Sequence, residues 1–172
     1  RAPTAGNMML YSVILIEDQH KKEILSRICD NQPFIAKAPL VLIFTADYQK
    51  WYDYYHANNV EEYCPQENIP FTCPSEASLM LATCDALIAA QNAVIAAESL
   101  GIGSCYIGDI MERYEEHKKL LNLPDYVFPV AMLCMGYYPD GYSKQLRPRF
   151  KKDYVVFKDN YRRLNQDEIK DM

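Results

Sequence analysis

None of the six cysteines (Cys29, Cys64, Cys73, Cys84, Cys105 and Cys134) stands in a C-x-x-C pair. The common zinc spacings are therefore absent. No H-x-x-x-H or paired-carboxylate pattern suggests a metal site or a glycosidase. Basic residues are outnumbered, 18 against 23 acidic ones, for a net charge of −5, and no basic block interrupts the chain. Such a chain is a poor general nucleic-acid binder, but it leaves room for a local basic site for one anionic ligand. Glycine is scarce, with six in 172 residues. Gly101-Ile102-Gly103 does not begin a dinucleotide fingerprint, because Tyr106 stands where the third glycine of G-x-G-x-x-G belongs. The order is also reversed: the turn follows a predicted helix and precedes an extended piece. Ser104 lacks a G-x-S-x-G setting. His20, His56 and His117 sit in polar helical contexts and read as isolated surface residues.

What is present describes a soluble globular domain. The chain is 49% apolar and 24% charged, ordinary values for such a domain. At 172 residues it reads as a single domain with a substantial core. Four of the cysteines lie in apolar runs, where a free thiol acts as a small hydrophobe. They read as reduced thiols of a cytoplasmic protein, while Cys64 and Cys73 flank a proline-rich loop and leave one pairing open. Residues 77–97 are nearly all apolar but contain Asp85, Gln91 and Asn92. A central Asp costs about 2.5–3.5 kcal/mol on membrane insertion, so this is expected to be a helix buried nearly all round in a core or subunit interface, with no membrane partner. No signal peptide is visible. The chain opens abruptly on Arg1 without an initiator Met, and the expectation is that a segment precedes it in the natural gene product.

Strands are expected over 11–16, 40–46 and 126–136, three apolar or β-branched runs. Pro129 inside the last implies a sheet edge or a bulge there. Asp18 is expected to cap a helix to about residue 30, and Ser75 the long helix that stops at Gly101. A single aromatic-rich helix is expected over 47–63. Asp109 and Glu112 form a D-x-x-E capping box for a helix to about 122. A short strand is expected at 154–157, within a solvated, charged tail. The fold class is α+β, with a mixed sheet flanked by helices.

Two features stand out as ligand-facing. Pro3-Thr4-Ala5-Gly6-Asn7 is a small polar turn whose side chains and amides can clasp a polar ligand. Arg147-Pro148-Arg149 places two guanidiniums two residues apart on extended backbone, a match for a phosphate.

Together, RAPTAGN at 1–7, AKAPLVLIF at 36–44, ALIAAQNAVIAAESLGIGSCYIGDI at 86–110 and RPRF at 147–150 resemble the FMN-dependent nitroreductase family. The resemblance implies an intertwined homodimer with FMN at the interface. It also implies NADH or NADPH as co-substrate and a small-molecule acceptor such as a nitroaromatic, a quinone or a flavin. By position, Pro3, Thr4, Ala5 and Asn7 resemble the segment that contacts FMN from the partner subunit. Gln32 resembles the polar side chain near the ribityl or pyrimidine edge. Tyr106, Ile107, Gly108 and Asp109 resemble the segment that passes over the isoalloxazine and offers backbone N–H toward N5. Arg147 and Arg149 resemble the basic pair on the phosphate. The family's N-terminal helix with an Arg-x-Ser-x-Arg motif has no counterpart in the chain. The resemblance nominates no proton-transferring side chain, because the flavin carries the hard chemistry. A non-catalytic flavin buffer and a dehalogenase-type relative on the same fold are the alternatives.

Overall fold

The structure is a computed structural model that describes residues 1–143 and 145–172. Two compact units divide the chain, Arg1–Tyr138 and Pro139–Met172.

The first unit is built on a four-stranded sheet in the order β1-β2-β4-β3. Its strands are β1 (Tyr11–Leu15), β2 (Leu40–Asp47), β3 (Ile102–Ile107) and β4 (Val127–Tyr137). Every ladder is antiparallel, which corrects the mixed sheet expected from sequence. The continuous apolar runs of β2 and β4 report burial on both faces, and helices cover both faces of this antiparallel sheet. Strand direction left no mark in the pattern.

On one face lies α5 (Glu76–Ser99), which packs an alanine stripe (Ala82, Ala86, Ala89, Ala90, Ala97) on Phe44, Leu133 and Met135. On the other face α1 (Gln19–Ile28) and α2 (Pro33–Lys37) place Leu25, Cys29 and Ile35 against Ile43, Met132 and Cys134. The alternation of Met132 and Cys134 with Leu133 and Met135 is the two-residue period of a strand covered on both sides. The implied irregularity at Pro129 is a bulge. Phe44 pairs with Ala131 but Thr45 with Pro129, so Val130 is the extra residue. A proline that cannot donate to the ladder is tolerated there even though β4 is central.

The caps form as expected at two helices. Asp18 accepts the Lys21 N–H at 3.0 Å, and Ser78 Oγ accepts the Ser75 N–H at 3.2 Å. Elsewhere local signals lost to other contacts. The single helix expected over 47–63 is broken into α3 (Gln49–Ala57) and α4 (Val60–Tyr63), because Asn59 takes a left-handed conformation (φ 54°). Asparagine adopts this conformation more readily than other non-glycine residues. The D-x-x-E box does not form. Asp109 opens a short 3-10 turn, and α6 (Tyr114–Leu121) begins only after Arg113. The expected strand at 154–157 is absent among the described residues; Lys152–Tyr154 is a 3-10 turn.

His117, expected on the surface, is fully buried with its Nε2 3.6 Å from Cys29 Sγ. Burial holds its imidazole below the usual histidine range and pushes the Cys29 thiol up to about 12. All six cysteines are free, so Cys64 and Cys73 are not paired. The long helix is not buried all round within one chain. Opposite its alanine stripe, Met80 (64% exposed), Leu87, Ile88 and Ile95 (60%) form an open apolar stripe.

The second unit is organised by its own contacts. Asn165 accepts from the Asp167 and Glu168 N–H groups, and Glu168 accepts from the Asn165 N–H at 2.9 Å, a capping box for α7 (Gln166–Asp171). Arg162 makes a two-pronged ion pair to Glu168 at 2.9 and 2.8 Å. Asp171 receives both Lys151 Nζ and Tyr154 Oη.

Candidate functional site

The polar turn at the start of the chain is held by one buried carboxylate. Asp85, in the middle of α5, is 2% exposed. It accepts from Thr4 Oγ1, from the Ala5 N–H at 2.9 Å and from the Leu10 N–H at 3.1 Å. Thr4 Oγ1 in turn accepts the Met9 N–H at 2.8 Å. Between these ties, Gly6 (φ 52°) and Asn7 (φ 58°) carry the chain through a left-handed turn. Thr4 and the Ala5 amide thus shape the turn, while Pro3 and Asn7 are exposed on it. Sequence reasoning missed Asp85 in this role, because its three donors lie 75 or more positions away.

The second group of expected residues meets at the end of β3. Gln32 Nε2 donates to Asp109 Oδ2 and to the Cys29 carbonyl, both at 3.0 Å. This joins the loop before α2 to the segment Tyr106, Ile107, Gly108 and Asp109. Ile107 is buried in the core beneath α1 and α2, which fixes the segment from below. Gly108 closes the strand, and Asp109 starts a 3-10 turn whose first N–H groups have no partner within the turn. Tyr106 is 41% exposed and its hydroxyl donates to Gln91 Oε1 at 3.4 Å. Partial burial raises its phenol above the usual range, so it stays neutral. Gln91 and Asp85 both belong to α5, about 9 Å apart along its axis. One helix therefore touches both groups of expected residues.

Arg147 and Arg149 lie in the second unit, exposed and outside any helix or strand. A cleft of about 430 Å³ in the first unit is lined by Tyr48, Leu79, Tyr114, Tyr126 and Phe128 among others. None of the residues expected from sequence lines it.

Each unit by itself carries groups of the kind that flavin mononucleotide needs. In the first, the Asn7 amide suits a pyrimidine edge, Gln32 keeps its Oε1 as an acceptor while its Nε2 is committed to Asp109 and the Cys29 carbonyl, and the end of β3 suits a ring nitrogen. In the second, two guanidiniums offer planar forks for a phosphate. Among the described residues no cluster of three or more His, Cys, Asp or Glu could hold a metal.

Comparison with known proteins agrees with this chemistry. The model of the Nitroreductase family matches residues 1–137. The chain is 34% identical over 169 residues to an FMN reductase (NADPH) of Bacillus subtilis, covering 98% of this chain and 64% of that protein. It is 32% identical over 155 residues to an oxygen-insensitive NADPH nitroreductase of Salmonella typhimurium, covering 90% and 58%. Among solved structures, the NADPH:FMN oxidoreductase from Vibrio harveyi complexed with NAD+ superposes with a TM-score of 0.83 at 26% identity. That match covers 99% of this chain and 67% of that one. The chain thus spans somewhat less than two thirds of the length of the curated relatives named here.

Proposed function

The chain belongs to the nitroreductase family, and from that premise we propose that it is an FMN-dependent oxidoreductase. It takes a hydride from NADH or NADPH and passes electrons to a nitroaromatic, quinone or flavin acceptor. The observation that carries this reading is the Gln32–Asp109 hydrogen bond. It assembles, from positions 77 residues apart, two segments that the family resemblance assigns to one cofactor.

When bound, FMN would supply the redox chemistry that links the two substrates. The protein's residues bind and orient. Tyr106, Ile107, Gly108 and Asp109 offer backbone donors toward the flavin ring, and the buried Ile107 keeps that strand end from moving. Gln32 holds the Asp109 carboxylate aside through its amide. Asn7, Pro3, Thr4 and Ala5 complete the site from the partner subunit, and Arg147 and Arg149 take the phosphate. No side chain need transfer a proton in the hydride step. The free thiols support a cytoplasmic setting.

The open face of α5 supports a homodimer. Its open stripe of Met80, Leu87, Ile88 and Ile95 is the apolar surface that an obligate interface covers. Light scattering at micromolar concentration should give the mass of two chains. Ile95→Arg places a charge in that interface, and an unpaired buried charge costs about 3–5 kcal/mol. This variant should therefore shift the protein to monomers; an unchanged dimer would move the interface elsewhere.

Turnover tests the function as a whole. The FMN-loaded protein should oxidise NADPH or NADH steadily in the presence of a quinone. FMN binding with no turnover would make it a flavin-buffering protein instead.

A further inference from the structure

Two cysteines that the flavin reading does not use face each other across the edge of the sheet. Cys105 on β3 is the direct register partner of Cys134 on β4. Directly opposed residues in an antiparallel pair project to the same face, with Cα atoms about 4.5–5.5 Å apart. That spacing lies inside the window of about 4.4–6.8 Å that a disulfide bridges. Both residues line one cleft of about 290 Å³. Cys105 is exposed on the edge strand, and Cys134 is buried at the cleft floor. The next opposed pair along this face is Gly103 and Gly136. Neither glycine has a side chain, so Tyr138 and Pro39 fill the space above them and wall the cleft. None of the other four cysteines stands opposite another in a strand ladder.

We propose that Cys105 and Cys134 form a cross-strand dithiol that small-molecule disulfides oxidise to an intrachain disulfide. The exposed Cys105 Sγ, as thiolate, attacks one sulfur of the reagent and expels the other as a thiolate, leaving a mixed disulfide. Cys134 then loses its proton to solvent and attacks Cys105 Sγ. This expels the second reagent thiolate and forms the Cys105–Cys134 bond. Two thiol protons and two electrons leave the protein, and one reagent disulfide becomes two thiols. Burial pushes the Cys134 thiol up to about 12. An external reagent therefore enters at Cys105, and Cys134 resolves. The site is independent of the flavin reading, although it lies directly before Tyr106.

The test is exposure of the protein to excess oxidised glutathione, followed by alkylation under denaturing conditions and peptide mapping without reductant. The expected result is a single linked peptide pair carrying Cys105 and Cys134 with no glutathione on either, whatever the exposed Cys73 and Cys84 take up. Dithiothreitol should restore all six. Cys134→Ser should stop at glutathione on Cys105, and Cys84→Ser should still form the link. Wild type that keeps glutathione on Cys105 with Cys134 free would overturn the proposal. So would a link from Cys105 to another cysteine or another chain, or six unreacted thiols. The wild-type map decides the matter even if a variant fails to fold.

Discussion

Asp85→Ala should free residues 3–10 from α5 while leaving the sheet intact. The carboxylate takes three hydrogen bonds, from Thr4 Oγ1, the Ala5 N–H and the Leu10 N–H. Hydrogen bonds to a charged group contribute about 1.5–3 kcal/mol each. The segment can swing out and regain water, so the three do not add in full and the cost is set by local release, about 3 kcal/mol. That is over a hundredfold in the opening equilibrium. Hydrogen exchange at the Ala5 and Leu10 amides should accelerate by this factor, while β2 and β4 amides stay protected. FMN affinity should fall at least tenfold, because the turn bearing Asn7 no longer holds its shape. Asp85→Asn should sit between, since its amide presents N–H to donors that need an acceptor. Unchanged exchange at Leu10 would show that Asp85 does not anchor the segment.

Replacing Arg147 or Arg149 by Ala should weaken FMN binding roughly 10- to 150-fold, the equivalent of about 1.5–3 kcal/mol for a hydrogen bond to a charged group. The FMN phosphate is dianionic or nearly so, and the chain is acidic overall, so the site needs local cations. The double replacement should cost less than the sum, because in the proposed site both groups serve one phosphate and couple. Arg→Lys should restore part of the loss, since a point charge lacks the planar fork. Riboflavin, which has no phosphate, should bind wild type and double variant nearly alike. A loss of riboflavin affinity as large as that for FMN would mean that these arginines support the fold and not the phosphate.

Much of the fold could be read from the chain, and most of the gaps share one cause. The runs that became β1, β2 and β4 are apolar and β-branched enough to declare themselves. So did α5, between Ser75 and Gly101, and the bulge at Pro129. What failed were features decided by residues far away in sequence. Asp109 looked like a helix cap, but Gln32 claims its carboxylate from 77 positions upstream. His117 looked solvated, yet it packs on Cys29, 88 positions away. In the sequence Asp85 argues only against a membrane span, because its partners lie at the start of the chain. Strand direction was invisible because β2 and β4 are buried on both faces. Two further misses were local and available: the Asn58-Asn59 pair that breaks the aromatic helix, and the Asn165-x-x-Glu168 box that starts α7. At the candidate site, the family resemblance names the residues as expectations, and the structure brings Gln32 together with the 106–109 segment.

The proposed function requires that this chain hold FMN where a reduced nicotinamide can deliver a hydride to it. Anaerobic titration of the FMN-loaded dimer with NADPH, and separately with NADH, tests this directly. The flavin's visible absorbance should bleach with one equivalent of at least one of the two and return when a quinone is added. A flavin band that persists through excess of both nucleotides, with FMN still bound, would contradict it.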